Sequence, residues 1–282
     1  MEEEFYASIK LTSGEEIVAK VSYDPDDDVI VVLEPRVVEK VEQKNPELVT
    51  IDSPTQRVGP GFTKQFNTVQ HLVPMLSLEN SYDGEDLLDW DRKARELSGL
   101  DEIEYCVEPK FDGASISLVY ENDMLVRACT RGDGVAGEEI TQNIKQIRSI
   151  PLSIPLSSFG ILQMEIRGEV IMSKKSFDDF NQKLIAKQLP PLANPRNAAS
   201  GSLRMKDPKE VAERNLDAFI YHVSYILPIP GKTVNPLLKT HSGSLDFLWN
   251  MGFRSPQKEK KVVTKMQDVI DYCAIAAAGR DE

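Results

Sequence analysis

The chain has 282 residues, 41% of them hydrophobic, and a formal net charge of −12. That length supports one large domain, or a domain with a small appendage. No run of about 18 apolar residues could span a membrane, and residues 1–4 are acidic where a secretion signal is basic and then apolar, so a soluble, cytoplasmic protein is expected.

Residues 1–44 read as a segment of their own. Residues 5–11 alternate at strand period, Ser13-Gly14 can turn the chain, residues 16–23 alternate again, Asp24-Pro25-Asp26-Asp27-Asp28 turns once more, and residues 29–33 are apolar. This predicts a small β-meander, too short to be very stable alone, with the main domain or another chain as its pairing partner.

From Asn45 onward helices and strands mix. Residues 83–97 predict a helix with Leu87, Leu88, Trp90, Ala94 and Leu97 on or near one side and Gly99 beyond it. Residues 105–107, 114–120 and 124–130 predict strands, the last two joined through Glu121-Asn122-Asp123 as a hairpin. Residues 162–172 are strand-like, and Ser173 is placed to cap a helix reaching residue 188 that buries Phe177, Phe180 and Leu184. Asp207-Pro208-Lys209-Glu210 is a helix start with a capping Asp, Pro first and Glu third. Residues 218–227 are strand-like, and 244–251 predict a short helix stopped by Gly252. Residues 264–278 predict a helix with Thr264 and Gln267 as its capping box and Gly279 at its end. Hairpin-linked strands beside separate helices indicate an α+β fold rather than a doubly wound parallel sheet.

Cys106, Cys129 and Cys273 contain no CxxC pair, so a structural zinc site is not expected and reduced, partly buried thiols are. His71, His222 and His241 are scattered without metal-ligand spacing, and His222, in an alternating run, reads as structural. No metal site is expected from the protein's own side chains.

The sharpest local feature is Glu108-Pro109-Lys110-Phe111-Asp112-Gly113. A lysine between a strand end and a glycine turn stands where the backbone can approach a ligand. An amine attacks only when neutral, a form that cationic neighbours and partial desolvation favour, and Asp112 is spaced to orient it. A surface Lys-Asp pair beside a turn reads equally well from this hexapeptide alone. Thr130-Arg131-Gly132-Asp133-Gly134 is either a tight turn or a turn carrying a phosphate-binding arginine. Glu165-Ile166-Arg167-Gly168-Glu169 sets charges in an apolar strand run. They either face water from an edge strand or are buried with a partner, for which a ribose hydroxyl would serve. Asn194-Pro195-Arg196-Asn197-Ala198-Ala199-Ser200-Gly201-Ser202-Leu203-Arg204 carries two arginines among small residues, as a structural loop or a polyanion site would.

Together these segments resemble the adenylation domain of NAD-dependent DNA ligases. So do Asn45-Pro46-Glu47-Leu48-Val49, Asp52-Ser53-Pro54-Thr55-Gln56-Arg57-Val58-Gly59 and Val73-Pro74-Met75-Leu76-Ser77-Leu78-Glu79-Asn80, and the match runs in order from about Asn45 to the C-terminus. The resemblance implies an ATP-grasp-like, ligase-type nucleotidyltransferase core of antiparallel sheets flanked by helices over residues 45–282, with residues 1–44 as a divergent β-rich addition. It implies NAD and magnesium as cofactors and nicked double-stranded DNA as partner. It makes Lys110 the nucleophile that takes AMP from NAD, with Asp112 as supporting carboxylate. Ser77, Leu78 and Glu108 fall on the adenine side, Arg131 on the nucleotide-binding arginine, Glu169 on the ribose carboxylate, Arg196 and Arg204 on phosphate-facing arginines, and Tyr221 on the ring that stacks against adenine.

Three departures from that pattern shape the expectation. Residues 1–42 lack the helical segment with which the family captures the nicotinamide mononucleotide half. Two later lysine motifs are missing, for which Lys258, Lys260 and Lys261 are poor substitutes, and no OB-fold, zinc module or helix-hairpin-helix region follows. The chain alone is therefore expected not to seal nicks, in keeping with an acidic balance that argues against a self-sufficient DNA clamp. The expected readings are a truncated gene product, a split ligase completed by a second polypeptide, a decayed copy, or a nucleotide- or partner-binding module of ligase ancestry. An ATP-using or RNA ligase is disfavoured because Ser53 to Gly59 and Asn194 to Ala199 resemble only the NAD-dependent branch.

Overall fold

A computed structural model describes residues 66–279 in full, together with Ser53 and the backbone of three strands. These strands, β1 (Glu4–Lys10), β2 (Glu16–Asp24) and β3 (Val29–Val37), pair antiparallel in the order β1-β2-β3. The motif-bearing stretch 45–59, Ser53 apart, lies outside the described residues.

The central sheet grows from four alternating segments: β6 (Ala114–Glu121), β7 (Met124–Thr130), β9 (Ile161–Ile171) and β10 (Asp217–Pro228). Their order is β10-β9-β6-β7, antiparallel throughout. Strands β6 and β7 meet through a two-residue turn, Asn122 and Asp123, both at positive φ (50° and 68°), the conformation in which the turn twist matches the strands. One sheet face is apolar: Ile116, Leu118 and Tyr120 of β6, Met164, Ile166 and Val170 of β9, and Ala218 and Ile220 of β10 are buried. They form one core with Ile140, Ile144, Ile147, Ile150, Phe247 and Leu248. The other face is polar and carries Ser115, Ser117, Glu165, Arg167 and Glu169, with Ser115 opposite Glu169 and Ser117 opposite Arg167.

Helices cover the apolar side and edges: α2 (Thr141–Ile144), α3 (Lys174–Ala186), α4 (Pro195–Leu203), α5 (Pro208–Glu213) and α6 (His241–Asn250). A second, smaller core joins Tyr105, Val263, Met266 and Val269. It belongs to α1 (Gly84–Ser98), α7 (Met266–Ala278) and the antiparallel pair β5 (Tyr105–Val107) and β11 (Lys261–Val263). Strands β4 (Thr68–Gln70) and β8 (Ala136–Glu138) form a further short pair. The architecture is α+β. No helix among the described residues is long and apolar enough to cross a membrane.

Several local expectations are corrected. The segment from Pro195 to Leu203 is a helix, because Asn194 accepts from the Asn197 amide, Pro occupies the first turn and alanines follow. Helix α6 begins at His241, three residues earlier than expected, because Thr240 caps it by accepting from the Gly243 amide. The Thr264–Gln267 box does not form: α7 starts at Met266 without a side-chain cap, and Gln267 donates to Asp271 instead. On α3 only Ser176 is buried, so Phe177, Phe180 and Leu184 are half-buried; the Arg214 guanidinium covers the Phe180 ring at 4.0 Å. Helix α1 buries no residue fully, and Leu88, Trp90 and Leu97 are exposed. Cys273 is exposed rather than partly buried, while Cys129 is buried and burial pushes its thiol up to about 11.

Candidate active site

The loop from β5 to β6 carries residues 108–113 and is pressed against β9. The Gly113 amide donates to Glu169 Oε1 at 3.2 Å. A Cβ on Gly113 would lie 2.1 Å from the Val170 carbonyl oxygen, so only glycine permits this approach. The loop thereby presents Lys110 and Asp112 beside the polar sheet face. Both are exposed, which corrects the expected partial desolvation of the lysine. Lys110 is exposed, and the buried group is the carboxylate whose ionised form its charge favours.

That carboxylate is Glu169, 8% exposed. It accepts from Ser115 Oγ at 2.9 Å and stands 3.5 Å from Tyr221 Oη, besides the Gly113 contact. Burial raises its pKa above the ordinary carboxylate range, while Ser115, the Gly113 amide, Lys110 and Arg196 pull it back. Burial and the neighbouring Glu169 push the Tyr221 phenol up to about 12. Tyr221 follows the core residue Ile220 and so alternates onto this face, and the register shift after Ile220 sets His222 opposite Arg167 of the same face. Asp112 pairs with Arg196 of α4 at 3.2 Å. The structure therefore brings Lys110, Asp112, Glu169, Arg196 and Tyr221 into one cluster.

Glu108, on the same loop, accepts from His241 at 3.2 Å through Oε1. Its Oε2 is buried without a hydrogen-bond partner among the described residues. Leaving a buried acceptor unmet costs about 1–3 kcal/mol, so a donor supplied by a ligand is well matched to this atom. Phe111 stacks on Phe219 at 4.1 Å and 14°, fixing the loop between Lys110 and Asp112.

The remaining predicted residues are exposed or have partners of their own, and the Arg131 amide donates to the Ser115 carbonyl at 3.3 Å beside the cluster. Arg131, in the turn after β7, donates to Ser77 Oγ at 2.7 Å. Leu78 is 88% exposed. Arg204, at the end of α4, pairs with Glu138 of β8. The charges of the Glu165–Glu169 run do not face water from an edge, since β9 lies inside the sheet and Glu165, Arg167 and Glu169 are all buried. His222 is half-buried with its ring 6.1 Å from that of His241, and burial lowers its pKa. Ser115 and His241 were missed. The alternation of β6 could have placed Ser115 on the polar face, but nothing local marks His241, which lies 133 residues from Glu108. Among the described residues no group of three His, Cys, Asp or Glu side chains could hold a metal ion.

An exposed amine, a buried carboxylate fed by hydroxyls and an amide, and a guanidinium within one cluster suit a nucleotide: hydroxyls on the carboxylate, phosphate by the cations. Residues 63–282 match the family model described as NAD-dependent DNA ligase adenylation domain. The chain is 53% identical over 87% of its length to a DNA ligase of Persephonella marina, of which it covers 35%. It is 52% identical over 84% of its length to one of a Sulfurihydrogenibium species and 51% identical over 84% to one of Aquifex aeolicus, covering 34% and 32% of them. The chain thus spans about a third of the length of these curated relatives.

Proposed function

The chain belongs to the family of NAD-dependent DNA ligase adenylation domains, and from that premise we propose that it forms lysyl-AMP on Lys110 as the first step of DNA strand joining. The observation that carries the proposal is the cluster of Lys110 and Asp112 from one loop, Glu169 from the sheet face and Arg196 from α4.

In this reading NAD is the substrate that donates AMP. Lys110 Nζ attacks the adenylyl phosphorus, an N–P bond forms, the P–O bond to nicotinamide mononucleotide breaks, and the amine proton leaves toward Asp112 or water. Glu169 accepts from ribose hydroxyls, Glu108 Oε2 accepts from the adenine amine, and Tyr221 covers the ring. Arg196 and, once released from their present partners, Arg131 and Arg204 neutralise phosphate; Ser77 and Leu78 border the adenine. Phosphoryl transfer needs such positioning and charge stabilisation more than unusual groups. Magnesium fits without a cage of protein ligands, because it is commonly bound by one or two carboxylates plus substrate phosphates. Asp112 would hold it beside the phosphate, where it would add Lewis-acid charge.

The same reading takes residues 45–282 as the adenylation domain, with an ATP-grasp-like arrangement, and residues 1–44 as a separate β-rich segment. It assigns transfer of AMP to a 5′-phosphate and nick sealing, in the cytoplasm, to this chain working with DNA-gripping parts supplied elsewhere in a longer protein or by a second polypeptide.

The test is direct. Purified chain incubated with magnesium and NAD labelled in its adenylyl phosphate is expected to gain one acid-labile AMP, and Lys110→Ala none. Labelled ATP run in parallel is expected to give no product. Calorimetry with NAD and AMP separates binding from turnover. A wild-type chain that binds the nucleotide without taking label would make it a binding module and sink the catalytic proposal.

A further inference from the structure

Strand β9 carries a charged pair that the adenylation chemistry does not use. Glu165 is 0% exposed and Arg167 8%, and they share the polar face with Glu169 at alternate positions. Such a pair persists away from water only when dense hydrogen bonding offsets its lost hydration. Here the bonds go to a distant stretch of chain. Glu165 Oε1 accepts from Arg167 Nη2 at 3.1 Å and from Ser224 Oγ at 2.8 Å, while Oε2 accepts from the Leu72 amide at 2.8 Å. Arg167 Nη1 donates to the Pro74 carbonyl at 3.2 Å and Nη2 to that of Val73.

Three successive residues, 72–74, are thus tied to one strand by backbone groups that no other strand among the described residues engages. The flanks are pinned too: the His71 amide donates to Val135 O at 3.0 Å and the Met75 amide to Gly134 O at 2.7 Å. Two residues beyond Met75, Ser77 meets Arg131. The guanidinium is suited to this task because its planar fork donates in fixed, divergent directions, which a lysine ammonium cannot reproduce.

We propose that Glu165 and Arg167 are positioning residues of the nucleotide site, lashing residues 71–75 to the polar sheet face and so fixing Ser77 against Arg131. The pair touches no reacting atom. The apolar core on the opposite sheet face already secures the strands themselves, so the pair's distinct consequence is where this segment lies. The nucleotide half of the proposal rests on the adenylation reading; the strap itself does not.

The experiment compares the whole wild-type chain with Arg167→Lys and with the double variant Arg167→Met, Glu165→Gln, which avoids leaving one buried charge alone. Hydrogen exchange read by mass spectrometry is expected to show peptides covering residues 71–78 exchanging about tenfold faster or more in the double variant, the loss that removing charge-assisted bonds predicts. Peptides of β6 and β9 should keep their protection. The KM for NAD in lysyl-AMP formation should rise about tenfold with the rate at saturation little changed, the signature of lost positioning in binding. Arg167→Lys should recover part of both effects. Unchanged exchange at residues 71–78, equal opening of segment and core, or an unchanged KM in spite of a freed segment would overturn the proposal. A wild-type chain that takes no AMP would sink the adenylation reading instead, and the exchange arm would still decide whether the strap exists.

Discussion

Glu169 is a carboxyl held where its charge is least favoured, and that makes it informative. Burial raises its folded pKa above the unfolded value. A raised folded value means that the folded state favours the neutral form. The stabilising contribution is whole below the ordinary carboxyl range and is lost as pH rises through the folded value. At neutral pH the ionised group is therefore a liability to the fold, retained because a carboxylate accepts strongly from hydroxyls. Glu169→Gln keeps an acceptor for the Gly113 amide and removes the charge. It should raise the melting temperature at pH 7.5 by a few degrees, on the order of 1 kcal/mol, and weaken NAD binding. Melting curves between pH 4 and 8 should converge at the acid end, where the wild-type carboxyl is also neutral. A variant less stable than wild type at pH 7.5 would show that the hydrogen bonds of the ionised form outweigh its desolvation. At this scale the sequence identified which residue types cluster but not which is buried: Lys110 and Glu169 were both legible, yet their exposures depend on Gly113 docking against Val170, a contact between strands far apart in the chain.

Helix α4 shows how an element holds a site residue. Its cap, Asn194, and its small residues Ala198, Ala199 and Ser202 bring it close to the sheet, which sets Arg196 beside Asp112. Gly201 lies on its exposed side, and a Cβ there would meet nothing within 4 Å. An alanine costs no clash and removes backbone freedom from the unfolded chain, so Gly201→Ala should stabilise by about 0.5–1 kcal/mol with lysyl-AMP formation unchanged. Thermal melts check it, and a lowered melting temperature would contradict the helical assignment. Elements whose signals are local were legible: the Gly99 end of α1, the Ser173 cap of α3, the Asp207 cap of α5 and the Asn122-Asp123 turn all act within a few residues. What was illegible depends on distant pairing. The short strands β4 and β8 exist because they meet each other, and α7 starts at Met266 after β11 has paired with β5, which overrides the Thr264 signal. The strap from Arg167 to Val73 spans 94 residues and has no local trace.

At the scale of the whole molecule, charge decides what the chain can hold. It carries 33 basic against 45 acidic residues. Over a Debye length of about 8 Å at physiological salt, only nearby charges matter, so a local basic groove would suffice for DNA. The arginines of the candidate site that reach the surface are engaged internally: Arg196 with Asp112, Arg204 with Glu138 and Arg131 with Ser77. A nucleotide can displace one or two of these partners at a single pocket, whereas a duplex needs many unpaired cations spread along a surface. We therefore expect this chain to take AMP while gripping DNA poorly. Anisotropy titrations of a labelled nicked duplex at about 0.15 M salt should give a Kd no tighter than the 10⁻⁴–10⁻⁶ M typical of non-specific contacts, with a shallow dependence on salt, because few phosphates are neutralised. The same duplex should remain unsealed after incubation with the adenylated chain. A nanomolar Kd that rises steeply with salt would mean that the internal pairs open to form a basic groove on contact with DNA, and the division between nucleotide chemistry and DNA gripping drawn from the charge distribution would then be wrong.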